Sequence, residues 1–426
     1  MTVRRLLGPA APRPVPWRRR LTLPAAVVGA VLVAEAAVWV LRPHGAIEPR
    51  PVSESSYFSA RELDRVHDYA DVQRLLGLGT LAVEGALLVL LVARPPRRAI
   101  ALLDAAGRRR PLVAGALAGA ALAVALQVAP LPLRALAHER AVDYDLSRQG
   151  WGGWLEDAGK GIGIGAVLAG IGASFFLAIM RRSPRRWWLP GAAAVVAIEV
   201  VFVWLAPVVL APIFNRFEPL PAGRVRSEVV TLARRAGVDV GEVYVVDASR
   251  RTETANAYVT GFGRTKRVVL YDTLVDRFQL GQLRLIVAHE LGHVKQHDVL
   301  RGMAWVALVA PGAMLVVMLL TRRFVGRSGR APGAPATLPA FALALALVSF
   351  AAGVVSNQLS RRIEAKADTF ALELTSAPRP FVAMQRDLTL SNLSDPDPPA
   401  ALVWLFGTHP AAVERIGAAL EFENPG

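Results

Sequence analysis

The sequence predicts a mainly α, integral membrane protein in which seven transmembrane helices form a bundle or barrel and carry a small α+β unit. Three observations lead there. The 426 residues are 53% hydrophobic with a positive mean hydropathy, too apolar for an ordinary soluble domain. Seven stretches reach the roughly 20 apolar residues that a helix needs to cross a bilayer core. Short arginine clusters sit beside those stretches, where lipid headgroups and topology account for them.

The spans fall at about 21–41, 75–93, 112–133, 161–180, 191–213, 303–320 and 336–356, and the last two contain no charge. The first 20 residues are basic enough for a signal peptide. The run that follows is too long for one, contains Glu35 and lacks a small-residue cleavage site, so it reads as a retained span. Between the fifth and sixth spans, 214–302 reads as a folded unit. "GRVRSEVVTLARRAG" has helical spacing and a terminal glycine, and "EVYVVD" alternates as a strand. "NAYVTGF" and "KRVVLYDTL" read as a hairpin joined by "GRT", and a helix follows from about 279 to 297. The chain thus divides into a membrane domain of five spans (1–213), a segment with the hairpin (214–302), two further spans (303–356) and a C-terminal segment (357–426).

The absence of cysteine excludes disulfides and thiolate metal sites. The formal charge of +15 does not point to nucleic acid, because much of the arginine flanks the spans. Clusters at 4–20, 94–110, 181–186 and 322–330 hold 20 arginines, and seven spans put all four on one face. The positive-inside rule makes that face cytoplasmic. The segments 214–302 and 357–426 then share the extracytoplasmic side.

Three of the seven histidines lie within nine residues, in "HELGHVKQH" at 289–297. On a helix, His289 and His293 are one turn apart on one face, where both can ligate one metal, and neutral imidazoles suit Zn²⁺. Glu290 is placed to take a proton from water at that metal, the arrangement of metal-assisted hydrolysis. His297 lies two turns from His289, about 12 Å along a helix, too far to share one ion. A better third ligand stands beyond the seventh span in "SRRIEAKADTFA", where Glu364 and Asp368 share a helical face. One would bind the metal and the other would orient a ligand histidine; spacing alone does not choose between them.

These residues resemble the type I CAAX prenyl proteases, seven-span membrane zinc metalloproteases. "APIFNRFEPLPAG" (211–223), "VYVVDASRRTETANAYVTGFGRTKRVVLYDTL" (243–274), "HELGHVKQHD", "SRRIEAKADTFA", "SNLSD" (391–395) and "THPAAVERI" (408–416) follow in family order. "HERAVDYDLSRQGWGGWLEDAGKG" (138–161) is a looser match, so the resemblance covers about 138–300 and 357–420. The resemblance implies a zincin-like catalytic unit with one Zn²⁺ per chain, held by His289, His293 and Glu364. It makes Glu290 the general base, Asp368 the partner of a ligand histidine, and Asn256 and His409 the groups that bind substrate and stabilise the oxyanion. The outer hairpin strand "NAYVTGF" could pair with an extended substrate. Glu35, Glu84 and Glu199 lie within spans, and the family's water-filled chamber offers Glu35 and Glu84 a place to point.

Two features depart from the family pattern. An acidic insertion that some members carry before the metal helix is replaced by "VDRFQLGQLRL". The charge rule also places the catalytic side outside the cytoplasm, whereas eukaryotic members face the cytosol. The alanine- and arginine-rich composition and short loops suggest a bacterial chain in the plasma membrane. The expected function is a membrane-embedded zinc metalloendopeptidase. Its partners would be the lipid bilayer and a peptide or protein, such as a membrane protein or a lipidated peptide. Two alternatives are a membrane-protein quality-control zinc protease and, from another class, a transporter or receptor with a structural zinc.

Overall fold

The computed structural model describes residues 22–261, 266–326 and 330–424. Among the described residues, seven helices are long and apolar enough to cross a membrane: Thr22–Leu41, Ala60–Ala93, Pro111–Val128, Trp151–Arg182, Trp188–Phe214, Asp298–Val325 and Pro335–Thr375. Each expected span is present. Leu32, Leu75, Leu117, Ile171 and Val201 lie exposed along them, as side chains facing lipid do. The first span packs through Ala34, Ala37 and Val38 on Trp305 and Val309 of the sixth and Leu359 of the seventh. Phe176, Met180, Met314, Val317 and Phe341 join the fourth, sixth and seventh in a second cluster.

Several helices outrun their apolar stretches. The second span begins at Ala60, fifteen residues before its apolar run, behind a capping box in which Ser59 and Glu62 satisfy each other's backbone N–H groups. The helix of the seventh span runs unbroken from Leu338 to Thr375. At 1.5 Å per residue it is about 57 Å long, nearly twice a hydrocarbon core of about 30 Å. It therefore carries Glu364 and Asp368 into the catalytic unit on a rigid extension of the membrane domain. The boundaries expected at 302/303 and 356/357 both fall inside continuous helices.

The catalytic unit contains a four-stranded sheet in the order β1-β2-β4-β3. β1 (Phe217–Pro219) runs antiparallel to β2 (Glu242–Val246), and β2 runs parallel to β4 (Arg267–Tyr271). β3 (Ala257–Thr260) pairs antiparallel with β4 and forms the sheet edge. The hairpin is thus present, while its turn "GRT" lies outside the described residues. Helix Arg224–Ala236 ends at Gly237, whose φ of 66° is the left-handed conformation that glycine adopts without strain. Leu232, Val268, Leu270, Leu285, Leu291, Leu372 and Phe381 form the unit's apolar core.

The metal-site helix, Leu280–Lys295, is shorter than the expected 279–297. His297 adopts φ 57° and ψ 39°, a left-handed hinge from which the sixth span starts at Asp298. The chain turns there, so His297 is not a further turn of the same helix.

Glu35 and Glu84 do not line the cavity described below. Glu35 accepts from Gln358 Nε2 at 3.1 Å, and Glu84 pairs with Arg134 at 2.9 Å. An intramembrane carboxylate is tolerated when a neighbouring polar group answers it. The arginine-rich ends gather at one end of the bundle. Arg322 donates to the carbonyls of Pro184 and Arg185, and Arg330 pairs with Asp104. The cluster at 4–20 lies outside the described residues.

Candidate metal centre and active site

Two helices build the site. The metal-site helix presents His289 and His293, and the extended seventh-span helix presents Glu364 and Asp368. Gly292 permits their close approach. A Cβ there would lie 3.2 Å from Phe370 Cδ1 and 3.3 Å from the Ala367 Cα, so any side chain would push the helices apart.

The Nε2 atoms of His289 and His293 are 3.1 Å apart, with the two rings nearly perpendicular. Glu364 closes the group: one carboxylate oxygen is 3.3 Å from His289 Nε2 and the other 3.5 Å from His293 Nε2. The three donor atoms lie within 4.8 Å of one another, and among the described residues no fourth metal-ligating side chain joins them. Each imidazole is oriented from its far side. His289 Nδ1 is 2.8 Å from Asp368 Oδ1, and His293 Nδ1 is 3.1 Å from Asp298 Oδ2. Both rings therefore hold the tautomer that donates from Nδ1 and leaves the Nε2 lone pair free. Asp368 is fixed by Arg415, which donates Nε to one carboxylate oxygen at 2.7 Å and Nη2 to the other at 2.6 Å. Asp298 is held by Arg301 at 3.1 Å.

Sequence reasoning missed Asp298, Arg301 and Arg415. Asp298 and Arg415 stand inside motifs already singled out, as the last residue of "HELGHVKQHD" and the arginine of "THPAAVERI". Their roles depend on contacts through space that no helical spacing encodes.

Glu290, Asn256 and His409 line a cavity of about 710 Å³ together with His289 and Glu364. Its walls include Leu78 and Leu81 of the second span and Leu388, Leu402 and Phe406 of the C-terminal segment. Burial pushes the Glu290 carboxyl above its usual range, an apolar setting that favours proton acceptance. Asn256 immediately precedes edge strand β3 and accepts the Ala257 N–H at 2.8 Å, which leaves its amide N–H₂ to donate. His409 does not stand free: its Nδ1 is 2.8 Å from Glu364 Oε2, which leaves Nε2 for other partners. His297 is outside the ligand group.

The two-helix constellation, built on seven spans with a substrate-sized cavity at its face, defines a membrane metalloprotease. The model of peptidase family M48 matches residues 219–423, and that of the CAAX prenyl protease N-terminal region with five membrane helices matches 86–216. The chain belongs to peptidase family M48. A metalloprotease of Bacillus subtilis (strain 168), YhfN, is 32% identical over 301 residues, 69% of this chain and 70% of its own. The CAAX prenyl protease 1 homolog of Oryza sativa subsp. japonica is 31% identical over 226 residues, 52% of this chain and 53% of its own. The crystal structure of S. mikatae Ste24p superposes with a TM-score of 0.74 at 19% identity, covering 95% of this chain and 99% of that one. This last likeness is one of fold.

Proposed function

We propose that His289, His293 and Glu364 hold one Zn²⁺ and that the protein cleaves peptide bonds on the extracytoplasmic face of a bacterial plasma membrane. The observation that carries the ligand set is the convergence of three donor atoms whose imidazoles are each turned by a carboxylate. Two imidazoles and one carboxylate suit zinc, and three protein ligands are the catalytic rather than the structural number. When bound, zinc supplies a Lewis acid that acidifies water and polarises a carbonyl.

The side chains supply the remaining functions. Glu290 accepts the proton of the attacking water and passes it to the leaving amine. The Asn256 amide N–H₂ donates to the developing oxyanion; His409, its Nδ1–H held by Glu364, donates there from Nε2 in the doubly protonated form of its ring. An extended peptide lies along β3, whose outer edge offers main-chain pairing, and its apolar side chains meet Leu78, Leu81 and Phe406. The substrate is a peptide or protein reached from the bilayer side, a membrane protein or a lipidated peptide.

Metal analysis of the purified full chain tests the ligand set. Glu364→Ala loses most of the zinc and His297→Ala keeps it. The opposite result removes Glu364 from the site.

A further inference from the structure

A second group of metal-ligating side chains lies apart from the catalytic trio. Glu54 precedes the second span, His67 lies within its first turns, and Asp395 ends the "SNLSD" motif, which the proposed chemistry does not use. Their donor atoms lie within 4.8 Å of one another, the same criterion that the catalytic trio meets. His67 Nε2 is 3.6 Å from Asp395 Oδ1 and 3.9 Å from Glu54 Oε2. Those separations exceed hydrogen-bond length, so the three groups cluster without hydrogen-bonding to one another. Two atoms each about 2.1 Å from one ion are about 3.0–3.6 Å apart at ordinary coordination angles. The catalytic donors, at 3.1–3.5 Å, fall in that range, and His67 stands in it or within a few tenths of an ångström of it from each of the two carboxylates.

The setting favours a bound cation. The Asp395 side chain is 5% exposed, and its other oxygen is paired with Arg74, which holds the carboxylate in place and leaves Oδ1 directed toward His67. Oδ1 also accepts the Asp397 N–H at 3.0 Å. The Glu54 carboxylate faces the His67 imidazole at 3.9 Å. We infer that Glu54, His67 and Asp395 form a second divalent-metal site, for Zn²⁺ or Mn²⁺, that clips the outer end of the second span to the cavity wall. One imidazole and two carboxylates make a borderline-to-hard donor set, which fits those two ions and not a soft one.

The location gives the clip a purpose. Asp395, Ser394 and Asn392 all line the active-site cavity. Asn392 Oδ1 also accepts the Ala255 N–H, next to Asn256. The intervening Leu393 is held at φ 44°, a left-handed conformation costly for a leucine. An ion on Asp395 would therefore fix the strained turn that shapes the wall beside β3. The ion pair of Arg386 with Glu62 ties the same two elements together nearby.

The test uses the full chain in detergent with added lipid. Wild type is expected to hold two metal equivalents per chain, and His67→Ala and Glu54→Gln one each. A His289→Ala background isolates the second site from the first: its melting temperature should rise saturably with added Zn²⁺ or Mn²⁺, as ligand binding to the native state requires. The double variant His289→Ala/His67→Ala should give no such rise. His44→Ala, an exposed histidine outside either group, controls for adventitious binding and should change nothing. One equivalent in both wild type and His67→Ala, with no saturable shift in the His289→Ala background, would overturn the site and leave an ordinary ion-pair cluster. Failure of the catalytic ligand set would appear separately, as an undiminished equivalent in His289→Ala.

Discussion

At the level of single residues, the site is organised around oriented imidazoles. Glu290 is not one of the three grouped metal-ligating side chains and Gln preserves its shape, so in Glu290→Gln metal content should stay at the wild-type level. The substitution removes the proton acceptor, so peptide turnover should fall on the order of 10²–10⁴-fold. Turnover near the wild-type rate would exclude Glu290 as the base. Asp298→Asn attacks the support of His293, because the amide can present its N–H₂ to Nδ1 and disturb the tautomer. Metal affinity should weaken by about 10–100-fold, the usual cost of losing such a partner. A competition titration against a chromophoric chelator reads it, and unchanged affinity would make the Asp298 contact incidental. His289, Glu290 and His293 were legible in the sequence because i and i+4 on a helix define a shared face. Asp298 and Arg415 were not, because each reaches its partner across a tertiary contact with no fixed sequence interval.

At the level of elements, apolar runs located all seven spans but not their ends. Hydropathy marks where a helix meets lipid and is silent once the same helix continues into water. The second span's polar first turns and the seventh span's extension to Thr375 therefore left no apolar signal. The extension matters most, since it makes Glu364, the proposed third ligand, and its neighbour Asp368 part of a membrane helix. Gly292 sets the distance between that helix and the one bearing the histidines. Gly292→Val adds branched volume where a single Cβ already meets Phe370 and Ala367 at 3.2–3.3 Å. Overpacking of this kind costs about 1–3 kcal/mol. The displaced segment, Ala367–Phe370, includes Asp368, so the variant should lose metal affinity as well as thermal stability. A variant that melts lower yet binds metal normally would separate packing from site geometry.

At the level of the whole molecule, the charge asymmetry and the catalytic unit sit at opposite ends. The described arginine clusters meet around Arg322, Pro184 and Asp104. The segment 42–59 lies on the catalytic unit, where the Ile47 N–H donates to Thr369 Oγ1 and Lys366 donates to the Gly45 carbonyl. Short loops beside spans are where a basic bias most reliably marks the cytoplasm, and long folded segments count for little. The expectation is therefore a cytoplasmic arginine face and an outward-facing metal centre, opposite to the cytosolic orientation of eukaryotic CAAX prenyl proteases. The chain has no cysteine, so a single introduced thiol reports its own side without background. Ser56→Cys, on the exposed loop over the catalytic unit, should react with an impermeant thiol reagent in intact cells. Ser183→Cys, between the fourth and fifth spans, should react only after the membrane is permeabilised. The reverse pattern would put the metal centre in the cytoplasm and show that the arginine clusters do not set the orientation of this chain.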